Sequence, residues 1–439
     1  MTLENYVRQN ADRYPNKMAV TDGTTTLTWR QLWQTVEQKA QLLSQHHKPQ
    51  SVVVMRTTQT TDFLVTYFAI HTIGAVAMPL GNDIPQSQLE TIERQYAQFT
   101  APPQVADILY TTGTTGKSKG VMISHDTIIA DAENLIDAMG FHHDLAFVIN
   151  GPLNHIGSLS KIYPQVLTAS PIIILEGMKN LEQFFNALDY PCDKIATFLV
   201  PASIRMLLQL AKKRLGQYAN KIELIEAGAA PLPHSDMLEL CQLLPSTRLF
   251  NTYASTETGI IATYNYNDGE CLAGCLGKPM KNSRFFITPD GRVACQGRTL
   301  MTGYAGDEEL TAQVLRDNTV FTADNGEIDE QGRLRLLGRN DDVINVGGFK
   351  VAPTEVEDAA MAHPTVEDCI CVADNSPLLG TRLKLMVVTG DGVELDKKSL
   401  ARFLASRLEI HKVPMLYEKV SKIERTFNGK LNRKFYRNQ

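Results

Sequence analysis

A chain of 439 residues is longer than one hydrophobic core usually serves, so two or more domains are expected. With 43% hydrophobic and 21% charged residues the composition is that of a folded globular protein, and no apolar run approaches the roughly 20 residues of a membrane span. The net charge of -5 supplies no basic field for nucleic acid. The opening MTLENYVRQNADRYP is acidic and polar where a signal peptide needs a basic and then an apolar stretch, so a cytoplasmic location is expected. Seven scattered cysteines read as reduced thiols. Cys271 with Cys275 and Cys369 with Cys371 lack a His or Cys partner at zinc spacing and read as buried free thiols.

In chain order, Ala19 to Thr28 predicts a hairpin turning at Asp22-Gly23, and Trp29 to Leu43 an amphipathic helix. Val52 to Val54, Asp62 to Ile73 and Ala75 to Pro79 predict strand, helix and strand, the signature of a parallel α/β layer. Gln86 to Gln98 predicts a surface helix. Then comes YTTGTTGKSKG, Tyr110 to Gly120, between the apolar Val105, Ile108, Leu109 and Val121, Met122, Ile123. Glycines allow backbone N–H groups close to an anion, the hydroxyls of Thr111, Thr112, Thr114, Thr115 and Ser118 donate to phosphate oxygens, and Lys117 and Lys119 bring positive charge. A P-loop needs glycine where Thr111 stands, which disfavours that reading and a P-loop kinase with it. His125 follows in a strand-to-helix connection and reads as structural, with Asp126 as the helix N-cap.

A strand through Phe147 to Ile149 leads into GPLNHIGSLS, Gly151 to Ser160, where an open α/β sheet places ligands. Further strands are predicted at Pro171 to Leu175, Thr197 to Val200 and Ile222 to Ile225. The last leads to Gly228, Ala229 and Ala230, small enough for a planar ring to lie on backbone. In NTYASTETG, Asn251 to Gly259, Tyr253 offers a face for adenine, Thr256 a hydroxyl for the α-phosphate and Glu257 a carboxylate for Mg2+. Residues 290 to 340 predict short antiparallel strands around Gly-centred turns. In LGRNDDVINVGGFKVAPTEVE, Arg339 can hold ribose or phosphate oxygens, and Gly347 with Gly348 permits close backbone approach. The last hundred residues predict a compact α+β unit: a helix from Thr354, strands near Cys369 to Ala373 and Leu383 to Val388, and a helix from Lys398 to Leu408.

The glycine loop, the Glu257 motif, Thr322-Ala323-Asp324, the Arg339 segment and RTFNGKLNR (Arg425 to Arg433) resemble, in this order, the motifs of the adenylate-forming superfamily of acyl-CoA and aryl-CoA synthetases, luciferases and peptide-synthetase adenylation domains. The resemblance implies an α/β fold. It has a large N-terminal domain of parallel and mixed sheets layered with helices plus a small antiparallel β region, 1–340, and a small mobile α+β lid, 341–439, hinged at Asp341. It implies an AMP-forming acid–thiol ligase using ATP, Mg2+ and CoA on a small carboxylic acid. An acyl-AMP ligase loading a carrier protein is the alternative acceptor reading. A non-catalytic nucleotide-binding relative would be expected to lose Lys430, Glu257 or Asp324. No nucleic-acid partner is implied, and a homodimer stays open. By the same resemblance Asp324 accepts the ribose hydroxyls, His155 stands beside the reacting carboxylate, and Lys430 meets the charge developing at the α-phosphate. Gly348 lies near the thiol tunnel, and Lys350 stands where relatives often have Arg. Departures are Ala254 and Ala323 for glycines and Asn154 for an aromatic residue. The loop at His155 lacks the acid that amino-acid-activating relatives place there, and an aryl or short-to-medium acyl acid is the favoured substrate.

Overall fold

The computed structural model describes residues 1–112, 118–339, 342–346, 349–376, 380–425 and 431–437. The hairpin of the N-terminus forms from Met18–Thr21 and Thr26–Thr28, and Thr28 then caps the helix Trp29–Leu43. Its hydroxyl accepts from Gln31 N–H while the Gln31 side chain accepts from Thr28 N–H, so two helix-end donors are satisfied reciprocally. Strand Val52–Arg56, helix Thr61–Thr72 and strand Val76–Leu80 make the parallel unit expected from their apolar runs. Helix His125–Met139 begins two residues before the cap read at Asp126 allows, because Ser124 is the N-cap: the Ser124 hydroxyl accepts from Thr127 N–H. Asp126 instead sits in the first turn and pairs with Arg298.

Two sheets organise the large lobe. In the larger, parallel strands Leu145–Ile149, Ile172–Ile174, Lys194–Leu199, Ile222–Ala227 and Arg248–Ser255 form the centre. One flank carries the N-terminal hairpin, and the other an antiparallel extension ending at Ser283–Ile287. The centre strands are apolar on both faces, as covered parallel sheets require. The smaller sheet runs Gly303–Tyr304, Ser118–Ser124, Val105–Thr112, Val76–Leu80, Val52–Arg56. One core joins both sheets to the helices, with Leu109 and Ile123 from one, Phe147 and Ile172 from the other, and Trp29, Phe68 and Leu135 from helices.

The C-terminal region carries a three-stranded sheet, Val366–Ser376, Gly380–Thr389 and Leu416–Lys419. Helices Pro353–Met361 and Lys397–Ala405 close a separate core of Val356, Cys369, Cys371, Leu385 and Leu400. All seven cysteines are free thiols. Among the described residues no helix is long and apolar enough to cross a membrane.

Candidate nucleotide and acyl site

Strand Arg248–Ser255 delivers Tyr253 to the carboxyl end of the central strands, and a tight turn follows. In that turn Ser255 and Thr258 hold each other through side chain and backbone. Gly259 closes it at φ +68°, where a Cβ would stand 2.6 Å from both Asp131 Oδ1 and the Thr299 carbonyl. The Tyr253 hydroxyl donates to Asp324 Oδ2 at 2.8 Å. Asp324 is paired in register with Arg339, whose Nε lies 3.6 Å from Oδ1. Burial, and then the Asp324 charge, push the Tyr253 phenol well above its ordinary range, so it stays a donor. Three residues named from separate motifs thus form one cluster.

Glu257 is held from two sides. Its carbonyl accepts from Met301 N–H at 2.9 Å, and its Oε1 accepts from the Tyr304 hydroxyl at 3.0 Å. Tyr304 lies on the two-residue strand Gly303–Tyr304, which pairs with Met122 and Val121 of the hairpin Val105–Thr112 and Ser118–Ser124. In that hairpin Thr111 pairs with Lys119, and Lys119 Nζ stands 5.4 Å from the centre of the Tyr304 ring. Tyr304 therefore ties the hairpin to the turn that bears Thr256 and Glu257. The sequence reading missed it, since a two-residue strand has no periodicity to detect. Burial and the Glu257 charge raise its phenol, which keeps the proton on the tyrosine.

On the adjoining loop His155 precedes the short helix Ile156–Leu159, and its carbonyl accepts from Ser158 and Leu159 N–H. Gln59 fixes the loop by donating to the Gly151 carbonyl at 2.8 Å and accepting from Leu153 N–H. Gly228 follows strand Ile222–Ala227, and Ala229 takes φ +69°. Phe198 fills the space between the two loops: Cβ atoms at Gly157 or Gly228 would each lie 3.2 Å from its ring. Beneath Phe198, Lys161 donates to Glu226 Oε1 at 2.8 Å, with Lys161 Nζ 5.4 Å from the ring centre. Both charges are buried, so each is the other's required compensation. Neither was singled out from sequence, because their pairing crosses 65 residues.

Gly113, Thr114, Thr115, Gly116, Lys117, Asp341, Gly348 and Lys430 lie outside the described residues, as do the side chains of Thr112 and Lys350. The described part brings Thr111, Lys119, Tyr253, Thr256, Glu257, Asp324 and Arg339 to one region of the large lobe, with His155 and Gly228 to Ala230 on the adjoining loops. Hydroxyls, a cation and carboxylates gathered in this way suit a phosphorylated ligand. Glu257 is a hard oxygen donor held by a phenol, which fits Mg2+, an ion that takes few protein ligands when phosphates supply the rest.

Comparison with known proteins gives the same region a lineage. An indoleacetate–CoA ligase of Aromatoleum aromaticum is 26% identical over 99% of this chain and 97% of its own. A 2-succinylbenzoate–CoA ligase of Listeria innocua is 25% identical over 98% of both. The fold superposes on ATP-bound MatB from Rhodopseudomonas palustris with a TM-score of 0.88, at 22% identity, covering 100% of this chain and 99% of that one. The model of the AMP-binding enzyme family matches residues 7–97 and 93–305, and that of the AMP-binding enzyme C-terminal domain matches 355–430. Matched through most of its large lobe and again in its small one, the chain belongs to the AMP-binding enzyme family.

Proposed function

We propose that the chain is an AMP-forming acid–thiol ligase. A carboxylate oxygen attacks the α-phosphorus of ATP, the bond to the β-phosphate breaks, and acyl-adenylate and pyrophosphate form. The thiol of CoA, losing its proton, then attacks the acyl carbon and releases AMP. The observation that carries this reading is the convergence of the Tyr253–Asp324–Arg339 cluster with the Glu257–Tyr304–Lys119 group at one end of the central strands. Positioning and fixed charge supply catalysis of such a displacement, and the side chains here are fixed by one another before any ligand arrives.

In this reading Asp324 and Arg339 take the ribose and Tyr253 the base. Thr256 and the hairpin from Thr111 to Lys119 take the phosphates, and His155 with Gly228 to Ala230 borders the acid. Bound Mg2+, held by Glu257, would neutralise phosphate charge. Lys430 serves adenylation, Gly348 and Lys350 serve the thiol step, and the lobes meet at Asn340–Asp341. A two-step reaction on one site needs such a joint, since the group serving the first step must yield to the thiol of the second.

A panel of carboxylic acids with ATP and hydroxylamine traps the adenylate and names the acid. Lys430→Ala is expected to lose roughly 10²-fold or more of pyrophosphate exchange, whereas Gly348→Leu keeps exchange and loses thioester formation. Exchange at the wild-type rate in Lys430→Ala removes that residue from the mechanism, and the absence of adenylate with every acid retracts the ligase reading. Thioester on a carrier protein but not on CoA would reassign the acceptor.

A further inference from the structure

Away from this site, the side chains of Glu4, His71 and His125 come together from distant parts of the chain. Glu4 lies in the first turn of helix Leu3–Arg13, His71 in the last turn of Thr61–Thr72, and His125 begins His125–Met139. A metal-ligating atom from each lies within 4.8 Å of the other two. Glu4 is 9% exposed and His71 3%. On these same residues Glu4 Oε2, His71 Nδ1 and His125 Nδ1 are buried without a hydrogen-bond partner. Three polar atoms gathered out of water without partners are costly unless something is shared by all three.

The surroundings specify what is shared. His71 Nε2 lies 2.9 Å from Asp107 Oδ1, and Asp107 Oδ2 accepts from the Tyr67 hydroxyl at 2.8 Å. A carboxylate held in this way accepts a hydrogen bond from Nε2–H, which favours the tautomer whose Nδ1 carries the lone pair. That is the carboxylate–histidine arrangement that orients a metal ligand. The His71 and His125 rings meet edge to face with centres 5.3 Å apart. His125 is fixed by its backbone, its N–H donating to the Gln104 carbonyl at 3.0 Å. On Glu4, Oε1 accepts from the Thr2 hydroxyl, which leaves Oε2 for the shared partner. Two imidazoles and one carboxylate form the donor set that Zn2+ takes with three protein ligands and a water.

We propose that Glu4, His71 and His125 bind one Zn2+ ion that clamps helix Leu3–Arg13 onto the last turn of Thr61–Thr72 and the start of His125–Met139, with Asp107 as the positioning residue behind His71. The site is separate from the Mg2+ of the ligase reaction, and its test reads metal and not activity.

The full chain, purified by ion exchange and never exposed to a metal-charged resin, is stripped with chelator and titrated with Zn2+ against a chromophoric competitor, and in parallel with Co2+. Expected are about one equivalent bound and the visible absorption of a low-coordinate Co2+ centre. Both are lost in His125→Ala and in the near-isosteric Glu4→Gln, whose folding is checked by circular dichroism. Asp107→Asn is expected to weaken Zn2+ binding by roughly 10- to 100-fold. A stripped wild-type chain that takes up neither ion at micromolar concentration overturns the proposal and leaves a bridging water or a shared proton in its place. Equal uptake by wild type and Glu4→Gln overturns it as well.

Discussion

Asp131 is buried beneath the turn that carries Glu257, and its Oδ1 accepts from Ile260 N–H at 2.9 Å. Burial outweighs that hydrogen bond and the nearby Lys161 charge, and the carboxyl is pushed up to about 8. The folded chain therefore holds a proton that the unfolded chain gives up near pH 4. The stability it supports is complete below about pH 4 and is lost as pH rises through about 8. Asp131→Asn keeps the acceptor for Ile260 without the charge. Thermal melts at pH 5 and pH 8.5 should show a smaller fall in Tm for the variant than for wild type; equal falls would show that Asp131 does not carry the dependence. At this scale the sequence was readable where chemistry is local. Tyr253, Glu257 and Asp324 each stand in a short motif, but the bond between Tyr253 and Asp324 spans 71 residues and only folding reveals it. Lys161, Glu226, Gln59 and Tyr304 have no motif, and their roles come from partners distant in the chain.

Strands and helices with strong apolar patterns were legible to within about three residues at their ends. The helix Trp29–Leu43 matches the sequence reading because its Thr28 cap and its period agree. Less legible was how strands meet. Strand Cys275–Pro279 crosses strand Gly259–Asn265 so closely that a Cβ at Gly277 would lie 1.9 Å from the Thr263 carbonyl oxygen, and Gly277 has φ +77°. Register there shifts between the strand and its other neighbour, Leu334–Arg339. Gly277→Ala must shift one strand of the extension that bears Asp324, and is expected to cost more than ~2 kcal/mol. Chemical denaturation measures this, and a loss under ~0.5 kcal/mol would mean that the crossing relaxes freely. Nothing in the local sequence of this segment, Cys275-Leu276-Gly277-Lys278-Pro279, announces the crossing. Glycine there is required by a neighbour that comes from another strand.

The two lobes touch through Arg205. Its Nε and Nη2 reach Asp236 Oδ2 at 3.2 and 2.9 Å within the large lobe, and its Nη1 donates to the Glu367 carbonyl of the small lobe at 3.0 Å. A guanidinium shared in this way favours the arrangement of lobes seen in this structure. If the two half-reactions use different arrangements, Arg205→Ala should move them in opposite directions, and the ratio of pyrophosphate exchange to thioester formation should change by about fivefold, the worth of a hydrogen bond near 1 kcal/mol. An unchanged ratio would remove Arg205 from the lobe equilibrium.

The large sheet is open, not closed into a barrel, so it ends in two borders. One is the three-residue Thr26–Thr28, too short to template another chain. The other is Ser283–Ile287, whose outward positions are Arg284 and the part-exposed Phe286. A flat apolar border of this length would recruit strands from neighbouring molecules at high concentration. The cation at Arg284 stands where such stacking would bring like charges together, so it opposes stacking at this border without any part in the chemistry.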